Sequence, residues 1–176
     1  VDEARAECLR IIAATHPVTA AYKPNIAFFE AYGPAGMAML KEVIAHIPAG
    51  IPVILDAKRG DIPDTSPAYA KAVFEELGAH AVTASPYIGS DGLQAFFDRP
   101  ERGVFVLCKT SNKGGDEFQK LQVIDNDQGL MVNRATCNLY EIVAQRAQAW
   151  NTLDNVCLVV GTTDPSAMGN VRAVAP

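Results

Sequence analysis

Residues 51–62 read IPVILDAKRGDI, an apolar run followed by two carboxylates that flank a lysine. The apolar run predicts a buried β-strand that ends at Asp56. Side chains two apart on a strand point to the same face, so Asp56 and Lys58 are expected to lie side by side. Gly60 permits a tight turn, which brings Asp61 to the same edge, where the carboxyl ends of strands carry the chemistry of α/β proteins. We therefore predict functional roles for these three charged residues; the alternative is an ion-pair cluster that closes the end of the sheet.

Segments with strand and helix patterns alternate along the rest of the chain. Strands are predicted over residues 18–24, 51–56, 79–85, 103–108 and 156–161. Helices are predicted over residues 2–14, 34–47, 64–77, 91–97 and 131–150, with a last helix beginning within 163–166. Five strands that alternate with helices predict a parallel sheet. The polar stretch 109–129 is too long for a simple connection, which is typical of a functional loop.

This α/β alternation fits both an open doubly wound sheet and a closed parallel (β/α)8 TIM barrel. No glycine-rich nucleotide-binding fingerprint follows any strand, which weakens the open-sheet interpretation. A complete barrel needs about 250 residues. The 176 residues therefore predict a single domain, 1–176, that forms part of a barrel with about five of its strands.

Polar side chains at other predicted strand ends are further candidates. Lys23 ends the first strand, so in a parallel sheet it lies at the same rim as Asp56, although a lysine there is often simply solvated. Asn25 either binds a ligand or caps a turn, and the turn is the commoner role. Ser111 follows the 103–108 strand, where a hydroxyl can bind the polar edge of a small ring or belong to a turn.

Composition excludes several other classes of function. The net charge is -5 with a pI near 5.1, which argues against a nucleic-acid partner because no basic surface is available for phosphates. The apolar stretches are far too short to span a membrane, and no secretory leader opens the sequence. The four cysteines form no CxxC pair, and no histidine lies near them at ligand spacing, so no metal site is expected. These features predict a reduced, cytoplasmic protein.

Four segments resemble a known family. DAKRGDI at 56–62 followed by Thr65 matches the signature D-x-K-x-x-D-I-x-x-T of the orotidine 5'-phosphate decarboxylases. YKPN and FFEAYG within 22–33, GVFVLCKTSN at 103–112 and LVVGTTDP at 158–165 extend the similarity over almost the whole chain. The chain resembles most closely the branch of the family that is common in bacteria such as actinobacteria.

The resemblance implies a (β/α)8 barrel that acts as a homodimer in the cytoplasm and serves pyrimidine biosynthesis. Members of the family convert orotidine 5'-monophosphate to UMP and carbon dioxide, with neither a metal nor an organic cofactor. By comparison with them, this chain is expected to lack the first strand and the last two strands, including the loops that bind the phosphate. Lys113 stands where the family often has proline.

The resemblance also implies a role for each candidate residue. Lys58 is similar to the general acid that protonates C6 of the pyrimidine, and Asp56 to the carboxylate beside the departing carboxylate of the substrate. Lys23 is similar to the lysine that holds these charges together. Asp61 and Thr65 resemble residues that enter the site of the partner subunit, Thr65 towards the ribose. Ser111, finally, resembles the serine that binds the pyrimidine ring.

Two alternatives stay open at this point. Related barrels share the D-x-K-x-x-D pattern but use its acids to hold a metal ion for sugar-phosphate decarboxylation or synthesis, although the continuation R-G-D-I-x-x-T favours the first family. The other alternative is a catalytically incomplete fragment or binding module that retains the family residues without a whole site.

Overall fold

A four-stranded sheet and a separate two-stranded sheet form the strand framework of this chain, in a computed structural model that describes residues 1–124 and 136–176. The strands are β1 (Ile54–Arg59), β2 (Ala81–Ala84), β3 (Gly103–Lys109), β4 (Gln122–Ile124), β5 (Thr136–Asn138) and β6 (Val156–Val160). The main sheet has the order β1-β2-β3-β6, and all its neighbours are parallel. An order without reversal is typical of a barrel wall, because a doubly wound sheet reverses direction at its centre.

Helices connect these strands. The α-helices are α1 (Asp2–Thr15), α2 (Ala27–Glu30), α3 (Gly33–Ala45), α4 (Ser66–Lys71), α5 (Gln94–Phe97), α6 (Asp116–Gln119), α7 (Leu139–Trp150) and α8 (Pro165–Val174). A π-helical turn, Ala72–Glu76, extends α4, and short 3-10 turns lie at His16–Val18, Pro86–Ile88, Asp91–Leu93 and Lys113–Gly115. The helices predicted near α1, α3, α4, α5 and α8 are therefore confirmed within a few residues. Among the residues described, no helix is long and apolar enough to cross a membrane.

The first predicted strand, 18–24, is shorter than expected and is not a regular strand. It touches β1 through two isolated parallel bridges, Tyr22 with Val53 and Asn25 with Asp56. Residues 16–18 form a 3-10 turn instead, and prolines at 17 and 24 supply no amide hydrogen for a continuous ladder. The segment nevertheless extends the parallel sheet beyond β1, at the position that was expected of it.

The strand predicted over 51–56 is observed three residues later, as β1. Pro52 removes a donor at its start, while pairing with β2 continues to Arg59. The register between β1 and β2 slips between Leu55 and Arg59. Asp56 and Lys58 therefore lie within the irregular carboxyl-terminal part of the strand rather than after it.

The polar stretch 109–129 is more structured than a single loop. It contains α6 and β4, and β4 pairs antiparallel with β5, which precludes the helix predicted from residue 131 at positions 136–138. The helix begins at Leu139, where the Glu141 carboxylate accepts a hydrogen bond from the Asn138 amide (2.8 Å). Residues 125–135, which include the end of the predicted loop and the start of the predicted helix, lie outside the described part of the chain.

The main apolar core of the described residues lies between the sheet and the helices, and a smaller cluster lies around Tyr140 and Val171. Fully buried side chains come from both the sheet and the helices, and the largest are Phe96, Leu40, Leu55, Leu93, Val53, Val73, Val82, Val104 and Val106. Strands β2 and β3 contribute alternate residues to this core. One face of each strand meets the helices, and the other face lines the inside of the partial barrel. This packing holds the strand ends, and the polar groups on them, in fixed positions.

Asn155 anchors the amino end of β6. Its buried side-chain amide donates to the carbonyl oxygens of Phe97 (3.0 Å), Arg99 (3.0 Å) and Arg102 (3.3 Å). Replacing Asn155 with alanine leaves these carbonyls without their donor, and we expect a loss of about 2–3 kcal/mol in unfolding free energy. Urea unfolding measures it, with exposed Gln148→Ala as the control. A loss no larger than that of the control contradicts the anchoring role.

Candidate active site

 Four of the residues predicted from the sequence line one cavity at the carboxyl ends of the strands. The cavity has a volume of about 230 Å³. Its lining residues are Lys23, Asp56, Lys58, Thr83, Leu107, Thr110, Ser111, Asn112, Val159 and Gly161. The cavity therefore joins charged groups from the first segment and β1 to polar groups that follow β3.

Asp56 is the centre of the charged side of this cavity. Its buried carboxylate accepts hydrogen bonds from Lys23 Nζ (2.7 Å), Lys58 Nζ (2.6 Å) and Thr83 Oγ1 (2.9 Å). Asn25 Nδ2 adds a longer one (3.3 Å). The expected contact between Asp56 and Lys58 is confirmed, as is the proximity of Lys23 to Asp56. We call Lys23, Asp56, Lys58 and Thr83 the Asp56 network.

The Asp56 network keeps its carboxylate ionised. Burial raises the pKa of Asp56, but the hydrogen bonds from Lys23, Lys58 and Thr83 lower it by more than burial raises it. The net result is a pKa of about 2 instead of 3.8. Asp56 is therefore a carboxylate at neutral pH. It holds two ammonium groups at one side of the cavity, each about half exposed and so accessible to a ligand.

Lys58 has an unusual backbone conformation. Its φ is +48°, a left-handed value that costs a non-glycine residue about 1–3 kcal/mol and that concentrates at functional sites. The amides of Ala57 (3.0 Å) and Lys58 (2.9 Å) both donate to Thr83 Oγ1. The side-by-side placement of Asp56 and Lys58 thus arises in a strand irregularity, and not from the regular alternation on which the prediction was based.

Asp61 and Thr65 do not line this cavity. The Asp61 carboxylate accepts from the Ile62 amide (2.8 Å), and Thr65 Oγ1 donates to the Ile62 carbonyl (3.2 Å). Among the residues described, Asp61 forms no ion pair, so the expected cluster of acid, ammonium and acid is incomplete within one chain. Asp61 follows the turn at Gly60, and its carboxylate is bound locally by the Ile62 amide.

Asn25 has the turn role that was considered for it in the sequence, and it also contacts Asp56. Its Oδ1 accepts from the Ala27 amide (3.0 Å), two residues along the chain, and thereby closes a turn before α2. Its Nδ2 donates to Asp56, which ties the first segment to β1. A direct contact with a ligand stays a prediction.

Ser111 is held in place by its neighbours. Gln119 bonds to both the Thr110 amide (2.9 Å) and the Thr110 hydroxyl (2.8 Å), which anchors the turn after β3 to α6. Gly161 lies directly behind Ser111, where a Cβ would come within 3.0 Å of the Ser111 amide nitrogen. The Ser111 side chain itself is exposed at the cavity.

Sequence reasoning missed two residues of the site. Thr83 was treated as part of an apolar strand, yet it is the polar residue at an inward position of β2, which was the available signal. Lys109 is a buried lysine that pairs with Asp116 (2.8 Å) and donates to the Thr110 carbonyl (3.1 Å). Its position at the end of β3, directly before Thr110, could have indicated a supporting role.

Within residues 1–124 and 136–176, no group of three or more histidine, cysteine, aspartate or glutamate side chains could hold a metal ion. Both oxygens of Asp56 already accept from ammonium groups. The described residues therefore do not favour the metal-holding alternative for the D-x-K-x-x-D pattern.

Comparisons with known proteins agree with this geometry. The family model described as "Orotidine 5'-phosphate decarboxylase / HUMPS family" matches residues 2–171. An orotidine 5'-phosphate decarboxylase of Herpetosiphon aurantiacus is 49% identical over 166 residues, which are 94% of this chain and 59% of the relative. The chain therefore spans about three fifths of the length of such curated relatives.

Solved structures show the same similarity. The OMP decarboxylase of Leishmania donovani is 56% identical with a TM-score of 0.90, over 99% of this chain and 66% of that one. The UMP synthase of the same organism gives 56% identity and a TM-score of 0.91, over 99% of this chain and 37% of that one. The predicted barrel fold is confirmed. The chain belongs to the orotidine 5'-phosphate decarboxylase / HUMPS family and forms part of its β/α barrel.

Proposed function

We propose that the protein containing this chain decarboxylates orotidine 5'-monophosphate to UMP and carbon dioxide, in the cytoplasm and as a step of pyrimidine biosynthesis. The observation that carries the proposal is the Asp56 network, which presents two ammonium groups to a cavity at the strand ends of a family member. Curated relatives named orotidine 5'-phosphate decarboxylase support the choice of reaction.

Lys58 is the proposed proton donor. When the bond between C6 and the carboxylate breaks, its electron pair stays on C6 and carbon dioxide leaves. The Lys58 ammonium stabilises this developing charge and then transfers a proton to C6, so the new C6–H bond replaces the broken C–C bond. The reaction as proposed requires no metal ion and no organic cofactor.

The other cavity residues bind and orient the substrate. Asp56 faces the substrate carboxylate and holds Lys58, while Lys23 balances the charge of Asp56 on its second oxygen. Ser111 binds the polar edge of the pyrimidine ring, and the side chains of Leu107 and Val159 provide apolar contact for the ring. Asn25 supports Asp56 at the rim, because it donates to the same carboxylate oxygen as Lys23.

We further propose a homodimer in which Asp61 and Thr65 enter the site of the partner subunit, Thr65 towards the ribose. Apolar side chains beside them are exposed, including Ile62 (53%), Tyr87 (89%) and Ile88 (43%). Ser66 ties this rim together, because its hydroxyl bonds to the carbonyls of Asp61 and Gly92. An exposed apolar rim beside an incomplete charge cluster supports a second subunit at this place.

The reaction is tested with the full-length protein that contains this chain. Purified protein is incubated with carboxyl-labelled orotidine 5'-monophosphate, and released carbon dioxide and UMP are measured together. Equimolar release of both, retained in the presence of a metal chelator, supports the proposal. No release contradicts it, and release that the chelator abolishes favours the metal-dependent relatives.

A shared site predicts complementation between two inactive variants. We expect Lys58→Ala and Asp61→Asn each to be slow alone. In a mixed dimer one site carries both substitutions and the other carries neither, so purified mixed dimers are expected to have about one half of the native activity, and an unfractionated random mixture about one quarter. Co-expression with two affinity tags isolates the mixed dimers. Activity no higher than the mean of the two parents contradicts the shared site.

A further inference from the structure

We propose that Thr83 is a positioning residue, which sets the direction of Lys58 and of the Asp56 carboxylate. The expected effect of Thr83 on catalysis rests on the proposed function. The geometry does not rest on that function, because Thr83 is buried at 1% exposure and contacts the three consecutive residues 56–58 through one oxygen atom.

The two amides that meet at Thr83 are not arranged as in a regular strand. Consecutive amides of a strand point in opposite directions, yet those of Ala57 and Lys58 converge on Thr83 Oγ1 at 3.0 and 2.9 Å. They converge because Lys58 has a φ of +48°. Successive amides in such a turn form a concave site for one electronegative atom, and the hydroxyl oxygen of Thr83 occupies it.

The hydroxyl group of Thr83 has no spare bonding capacity. A hydroxyl has two acceptor lone pairs and one hydrogen. The lone pairs accept from the amides of Ala57 and Lys58, so the hydrogen is directed to Asp56 Oδ1 (2.9 Å). The branched side chain of threonine is stiff at χ1, which fixes the oxygen between the two partners.

These contacts determine where the Lys58 ammonium lies. Asp56 Oδ1 accepts from both Thr83 and Lys58 Nζ (2.6 Å), so Thr83 orients the same oxygen that holds the ammonium. Without the hydroxyl, the two amides lose their acceptor and the left-handed conformation of Lys58 loses its support. A change in this backbone conformation would displace the Lys58 ammonium from its position beside Asp56 Oδ1.

Two substitutions at one position separate the hydroxyl from the rest of the side chain. Thr83→Val keeps the shape and removes the hydroxyl, while Thr83→Ser keeps the hydroxyl. In the full-length protein we expect Thr83→Val to lower kcat at least about 10-fold with KM changed less than about 3-fold, because the loss concerns the proton donor rather than substrate binding. Thr83→Ser is expected to stay within about 3-fold of the native kcat.

Controls distinguish positioning from a general loss of stability. Val82→Ala removes buried apolar atoms from the neighbouring position on β2, which faces away from the cavity. It is expected to lower stability with little change in kcat. Native kcat in Thr83→Val, or equal losses in Thr83→Val and Thr83→Ser, overturns the proposal.

Amide hydrogen exchange provides a measurement that does not depend on activity. We expect exchange at Ala57 and Lys58 to be at least about 10-fold faster in Thr83→Val than in the native protein, and near native in Thr83→Ser. Unchanged exchange at both amides overturns the proposal. If the native protein releases no carbon dioxide, the proposed function fails, and exchange alone then decides the role of Thr83.

Discussion

Replacing Lys58 with alanine is expected to lower kcat for decarboxylation about 10⁴-fold, since it removes both the proton donor and the charge that stabilises C6. The fold is expected to survive. Lys58 is about half exposed and its ion pair with Asp56 contributes at most about 1 kcal/mol to stability. Single-turnover formation of UMP measures the first effect, and urea unfolding measures the second.

Two further variants make this test specific. Lys58→Arg keeps a positive charge, but a guanidinium does not release its proton at neutral pH, so we expect it to be nearly as slow as Lys58→Ala. Lys41→Ala removes an exposed lysine that pairs with Glu76, remote from the cavity, and is expected to be fully active. Substantial activity in either Lys58 variant contradicts the role of Lys58 as the proton donor.

The sequence was sufficient to predict the elements with strong periodicity. Strands near β2, β3 and β6 are short apolar runs bounded by glycine or polar residues, and α1 and α3 have clear helical patterns. The rim position of Lys23, Asp56, Lys58 and Ser111 followed from one rule, that parallel strands end at one edge. The catalytic and binding roles of these residues stay predictions.

Other features depend on contacts between distant parts of the chain. The left-handed conformation of Lys58 requires the hydroxyl of Thr83, which is 25 residues away in sequence. The short pairing of β4 with β5 joins segments on either side of residues 125–135, so local pattern could not indicate it. Asp61 follows the turn at Gly60 and does not line the cavity, and residue spacing alone could not predict this.

Replacing Asp56 with asparagine is expected to have the second largest effect, a loss of about 10²–10³-fold in kcat/KM. The carboxylate accepts from Lys23, Lys58 and Thr83, and an amide group cannot accept from all of them. The two ammonium groups then repel each other without a common anion. Glu42→Gln, in an ion pair with Arg5 between α1 and α3, is the matched control and is expected to be active.

The pH dependence of stability tests the same carboxylate independently of catalysis. Because the pKa of Asp56 is about 2 in the folded protein and 3.8 ordinarily, the unfolded chain takes up its proton at the higher pH. The stabilisation is complete above about pH 5 and is lost as the pH falls towards 2. Above about pH 5 we expect the unfolding free energy of the native protein to exceed that of Asp56→Asn by about 1–2 kcal/mol. This difference is expected to disappear as the pH falls towards 2. Unfolding free energies at pH 7, 5, 4 and 3 measure the difference. A difference that stays constant would show that the carboxylate charge of Asp56 does not stabilise the fold.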